Sequence, residues 1–79
     1  MKPVFIPFEK IGGFVQGRAR VTYLKDQGCF SASVTLGGLD INGIGLNVHH
    51  ALWDLAKRID QSNFLKSKLL EFEHGRKKD

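Results

Sequence analysis

The pattern of apolar and polar positions changes period along the chain, and each change marks a new element. From Asn47 to Asp60 the apolar residues Val48, Ala51, Leu52, Leu55, Ala56 and Ile59 fall at i, i+3, i+4, i+7, i+8 and i+11. That spacing lays one stripe along an α-helix. Asn47 stands where an N-cap belongs, able to accept from a first-turn N–H that has no partner inside the helix. A helix with a single stripe must lie on something, and the β-like runs before it are the candidate. Leu52 and Leu55 are the positions where truncation should cost most.

Those runs have a period of two. Val15, Gly17, Ala19, Val21 and Tyr23 alternate with Gln16, Arg18, Arg20, Thr22 and Leu24, as in a half-buried strand. Lys25-Asp26-Gln27-Gly28 has the composition of a turn, after which Phe30, Ala32, Val34 and Leu36 alternate with Cys29, Ser31, Ser33 and Thr35. A four-residue turn pairs Tyr23 with Phe30, Val21 with Ala32 and Ala19 with Val34, so both apolar rows meet on one face. Gly37-Gly38 suits a two-residue hairpin loop with positive φ at both positions. It pairs Leu36 with Leu39, Val34 with Ile41, Thr35 with Asp40 and Ser33 with Asn42. Gly43-Ile44-Gly45-Leu46 then shifts the alternation and leads over the sheet edge into the helix.

The two ends are less regular. Val4, Phe5, Ile6 and Phe8 are strand formers, yet Pro3 and Pro7 remove ladder donors and Gly12-Gly13 breaks the run, which predicts an extended arm. Gln61-Ser62-Asn63 is a break with its own capping residues. Leu65, Leu69 and Phe72, flanked by Phe64 and Leu70, then predict a second helix over about 62–74. A strand is the alternative there, since Phe64, Lys66, Lys68, Leu70 and Phe72 also alternate. Gly75 is the expected stop, followed by a basic tail. The predicted architecture is one small α+β domain over residues 1–79. It has a three-stranded antiparallel meander (about 15–24, 29–36, 39–42) packed on a helix (47–60), with a second C-terminal helix and an extended N-terminal arm.

Composition adds few constraints. A chain of 79 residues has a thin core, so burial gained by dimerising would matter and a homodimer is an open expectation. No apolar run approaches the about 18 residues of a membrane span, and the proline-broken start does not make a signal-peptide core. The single cysteine, Cys29, has no intramolecular partner, which agrees with a reducing, cytoplasmic setting. Twelve Lys and Arg against eight Asp and Glu give a net charge of +4, which favours an anionic partner without requiring one.

Candidate chemistry follows from the faces. The sheet side turned away from the helix would carry Gln16, Arg18, Arg20, Thr22, Ser31, Ser33, Thr35 and Asn42, with Asp40 its one acid. An antiparallel ribbon with such side chains can enter a DNA groove, with Arg, Gln and Asn reading base edges and Lys10 and Lys25 flanking on phosphates. The plainer reading is the solvated face of a one-sided sheet. On the helix, His49, Trp53 and Lys57 stand one turn apart. Trp53 is off the apolar stripe, so it either packs under the C-terminal helix or anchors a partner. With Phe5 and Phe8 of the arm, Trp53 and His49 form the candidate protein-docking set.

No constellation points to catalysis, and no metal or cofactor is expected. His49 and His50 diverge by about 100° around a helix and cannot readily share a metal. The carboxylates are scattered, and Cys29 has no activating partner that spacing reveals. Gly43-x-Gly45-x-Asn47 at a helix start could cradle a phosphate, but it has neither the third glycine of a dinucleotide fingerprint nor the lysine of a P-loop.

The same stretch, followed by Ala51, resembles the loop-and-helix half of a double-stranded-RNA-binding domain, in which Gly-x-Gly-x-Ser precedes two lysines and an alanine. The resemblance spans about residues 21–60. It departs where Val48 and His49 occupy the positions of the phosphate-binding lysines, and in the expectation that no helix precedes the sheet. Three strands followed by a helix also resemble HicB-type antitoxins and the arm-binding domains of phage integrases. The expected function is a small non-enzymatic protein that binds nucleic acid, DNA rather than RNA, or acts on a nucleic-acid-handling complex. The alternative is a phage- or plasmid-type interaction module that inhibits or adapts a host protein complex.

Overall fold

The computed structural model describes residues 4–77, with side chains as far as Phe72. Its elements are α1 (Phe8–Arg18), β1 (Arg20–Leu24), β2 (Cys29–Leu36), β3 (Leu39–Gly45), α2 (Val48–Asp60) and α3 (Asn63–Lys77). The strands form one antiparallel sheet in the order β1-β2-β3, so the α+β meander backed by a helix stands. Tyr23 pairs with Phe30, Val21 with Ala32, Val34 with Ile41 and Leu36 with Leu39. This is the register that matching apolar rows demand. Gly37 and Gly38 take φ of 61° and 81°, the left-handed values of a tight hairpin that matches strand twist.

The N-terminal region differs from the extended arm. Residues 8–18 form α1, and β1 begins only at Arg20. Both periods were open to this segment, because Val15 belongs to the alternating series and also lies four residues beyond Ile11. The helix buries Ile11 and Val15 completely and Phe14 in part. Burial on that scale stabilises by about 1.5–3 kcal/mol per large side chain, against about 1 kcal/mol for each of the helical glycines 12, 13 and 17. Glu9 in the first turn and Arg18 in the last suit the helix dipole. The Pro7 carbonyl accepts from Lys10 N at 2.9 Å and Ile11 N at 3.2 Å. Of the arm, residues 1–3 lie outside the described residues, while Val4–Pro7 is irregular with Ile6 buried.

α2 lies mainly against β3, and α1 and α3 pack beside it. The close seating has one cause. A Cβ at Gly43 would stand 2.3 Å from Leu55 N and 2.6 Å from Ala51 O, and one at Gly45 would stand 2.4 Å from Ala51 N. Two bare glycines let helix backbone approach strand backbone. They also let the third strand run to Gly45 instead of ending near residue 42.

The helix ends follow from local chemistry. Asn47 Oδ1 accepts from His50 N at 2.8 Å, capping α2. Ser62 Oγ accepts from Leu65 N at 3.2 Å and does the same for α3. Along the α2 stripe Ala51, Leu55, Ala56 and Ile59 are buried, Leu52 is half-buried and Val48 is exposed. α3 is a helix, with Leu65 and Leu69 buried, and it runs through Gly75 to Lys77. Glycine there lowers helix stability without supplying a stop, since a glycine ends a helix only when it turns left-handed. Among the described residues no helix is long and apolar enough to cross a membrane.

The glycines divide into two kinds with opposite expected behaviour. Gly43→Ala should lose about 1–3 kcal/mol of unfolding free energy through overpacking. Gly13 and Gly17 have nothing within 4 Å of a built Cβ, so Gly13→Ala and Gly17→Ala should each gain about 0.5–1 kcal/mol by helix propensity. Urea unfolding of the three variants measures all of these values.

Candidate functional site

The outer sheet face, away from α2, carries Arg20, Thr22, Ser31, Ser33, Thr35, Asp40 and Asn42, since each pairs across the strands with another of the set or alternates with the buried row. Arg18 is not on the strand, because it ends α1. It is nevertheless brought to the same place. Arg18, Arg20, Ser33, Thr35, Asp40 and Asn42 line one shallow hollow of about 470 Å³. The Arg18 guanidinium lies 4.8 Å over the Phe72 ring, and Phe72 in turn meets Phe14 edge-on at 5.5 Å. The chain's own C-terminal helix therefore supports one side of Arg18, which stays exposed.

The acid in the hollow is engaged. Thr35 Oγ1 donates to Asp40 Oδ1 at 2.6 Å. Elsewhere Asp54, Asp60 and Glu71 pair with Arg58, Lys66 and Lys68. Among the described residues Arg18, Arg20 and Lys25 have no carboxylate within ion-pair reach. Thr22 and Ser31 continue the polar face toward the turn that holds Lys25. Gln16 and Lys10 leave the set, because the helical conformation of 8–18 carries them onto α1.

A second surface centres on Trp53, which is 55% exposed and does not pack beneath α3. Lys57 Nζ lies 5.0 Å from its ring centroid. On one side Trp53 borders a hollow of about 310 Å³ between α1 and α2, with Phe8, Gly12, Gln16, His49 and Leu52. On the other it borders a broader hollow of about 790 Å³ with Ile44, Leu46, His49 and Asp54. The structure thus joins Phe8, His49 and Trp53, but leaves Phe5, 85% exposed, outside both linings. Ile44 and Leu46 join this surface although neither is among the docking residues the sequence singles out. Their only signal is the interrupted alternation at 43–46, which in sequence reads as a crossover.

Gly43 and Gly45 belong to strand–helix packing, so the phosphate cradle loses its glycines to α2. The presence of α1 gives the order α-β-β-β-α-α, so a helix does precede the sheet, but α3 is additional to the double-stranded-RNA-binding pattern and Val48 and His49 still stand at the lysine positions. Among the described residues no group of three His, Cys, Asp or Glu is placed to hold a metal ion. No family model, no curated protein and no solved structure matches the chain.

Asp54 lines the broader of the two hollows beside Trp53. Its carboxylate accepts Ile44 N–H at 3.0 Å and Arg58 Nε at 3.2 Å. The backbone bond from Ile44, with Arg58 adding to it, holds the carboxyl below its ordinary value of 3.8 against a smaller opposing push from desolvation. Stability from this contact is therefore complete above pH 3.8 and is lost as pH falls through the depressed native value. Asp54→Asn should be less stable than wild type by about 1 kcal/mol at neutral pH. Thermal unfolding at a series of pH values should show the gap closing under acid conditions.

Proposed function

We propose that this chain is a small non-enzymatic nucleic-acid-binding protein that meets phosphates with Arg18 and Arg20 across the outer sheet face. One observation carries the reading: among the described residues Arg58 of α2 and Lys66 and Lys68 of α3 are ion-paired, while Arg18, Arg20 and Lys25 have no acid partner. Unpaired guanidinium groups beside Ser, Thr and Asn donors suit phosphate oxygens and base edges. Phe72 holds the Arg18 side chain, so less entropy is lost on binding. DNA is the favoured target, because an antiparallel ribbon of this polarity matches a major groove. The chain would act in the cytoplasm, in keeping with its one buried, free thiol.

A second reading is supported by the exposed apolar surface around Trp53. Phe8, Ile44, Leu46 and Trp53 are all more than a third exposed, Leu46 at 77%, and contiguous apolar exposure commonly marks a protein contact. On this reading the chain is an adaptor or inhibitor of phage or plasmid type that docks on a host complex.

Gel-shift titrations with duplex DNA and RNA at two salt concentrations separate the readings. The first expects an affinity that falls steeply with salt and a doubly substituted Arg18→Ala/Arg20→Ala protein that folds but binds at least tenfold more weakly. Its salt slope should be shallower by about 1 for each phosphate contact removed. Binding that ignores salt, or survives the double substitution, would overturn it. The second expects one stoichiometric protein partner, lost with Trp53→Ala and retained by the double arginine variant.

A further inference from the structure

The two edges of the sheet are not equivalent. At β3 the outward Ile44 N–H is taken by the Asp54 carboxylate, so an α2 side chain occupies part of that margin. At β1 no other strand of the described chain pairs. On its helix-facing side Val21 is 37% and Tyr23 54% exposed, although they share a face with the buried Ala32 and half-buried Phe30. α2, drawn over β3 by the two glycines, leaves them uncovered.

We infer that β1 is the seam of a homodimer, in which two copies pair their first strands antiparallel about Thr22 and form one six-stranded sheet. The five residues Arg20-Val21-Thr22-Tyr23-Leu24 complement themselves in that register. Val21 meets Tyr23 of the second copy twice over, apolar on apolar on the helix side. Thr22 meets Thr22 and Arg20 meets Leu24 on the outer side. No like charges stand opposite one another, a condition that cross-strand pairing requires. The Arg18 end of each strand also comes beside the turn of the other copy, which carries Asp26 with Lys25. Shifting the register by one residue would oppose Val21 to Thr22 and set the helix-side row of one copy against the outer row of the next.

Alternate residues of an edge strand turn backbone N–H and C=O groups outward, and a second antiparallel strand satisfies them. A five-residue edge is only about 17 Å long. A seam that short falls below the about 1,200–2,000 Å² typical of stable complexes, so the dimer is weak and concentration-dependent. Both outer faces would lie on the same side of the joined sheet. This inference does not depend on what those faces bind.

Sedimentation of the full chain from low micromolar to millimolar concentration tests it, with circular dichroism confirming that each variant folds. The mass should rise toward twice the monomer, and Val21→Lys and Tyr23→Lys should each weaken association at least tenfold. A monomer at all concentrations, or a dimer indifferent to both substitutions, would overturn the inference. An independent measurement uses cross-linking in a Cys29→Ser background. Thr22→Cys should give an oxidised dimer, because opposed cross-strand residues have Cβ atoms about 4.5–5.5 Å apart. Asn42→Cys, on the same face but on β3, should not. Equal cross-linking by both, or by neither, would count against the seam.

Discussion

The approach of α2 to β3 is the constraint on which the rest of this structure depends. With Gly43 and Gly45 beneath Ala51 and Leu55, helix backbone meets strand backbone at distances that leave no room for a Cβ. The Leu55 side chain is completely buried in the process. The same approach brings Asp54 within reach of Ile44 N–H. It also shifts the helix off the centre of the sheet toward one side. α1 and α3 then fill in around α2, with Ile11, Val15, Leu65 and Leu69 completing the core.

How legible this was differed by element. The meander could be read because its apolar rows match in only one register and its turns carry the residues they need, Gly28 and Gly37-Gly38 at positive φ. α2 and its Asn47 cap were legible for the same reason, since pattern and capping chemistry agreed. α1 was not. Three glycines argue against a helix locally, and only the tertiary burial of Ile11 and Val15 overrides them. Gly43 and Gly45 resembled a loop because no local rule distinguishes a glycine that bends the chain from one that admits a neighbouring backbone. That distinction exists only once α2 is placed.

The candidate binding residues divided along the same line. Arg20, Ser33 and Asn42 were found by strand alternation and remain together on the outer face. Arg18 reached the same hollow by another route, from the last turn of α1 with Phe72 under its guanidinium. Gln16 lines the hollow beside Trp53 instead. The chain thus carries two unlike surfaces: polar and cationic outside the sheet, apolar and aromatic where α1, α2 and the end of β3 meet. Residues from all three of those segments make the second surface, so no single stretch of sequence announced it.

The Asp54 contact has a further consequence for how the molecule can grow. A sheet with two free margins can add neighbours without end, which is the geometry of fibrils. Here the Asp54 carboxylate takes one outward N–H of β3, at Ile44, so that margin offers an incoming strand one donor fewer than a bare edge would. Protonating or deleting the side chain would return that donor, and β3 would then be the more open template of the two.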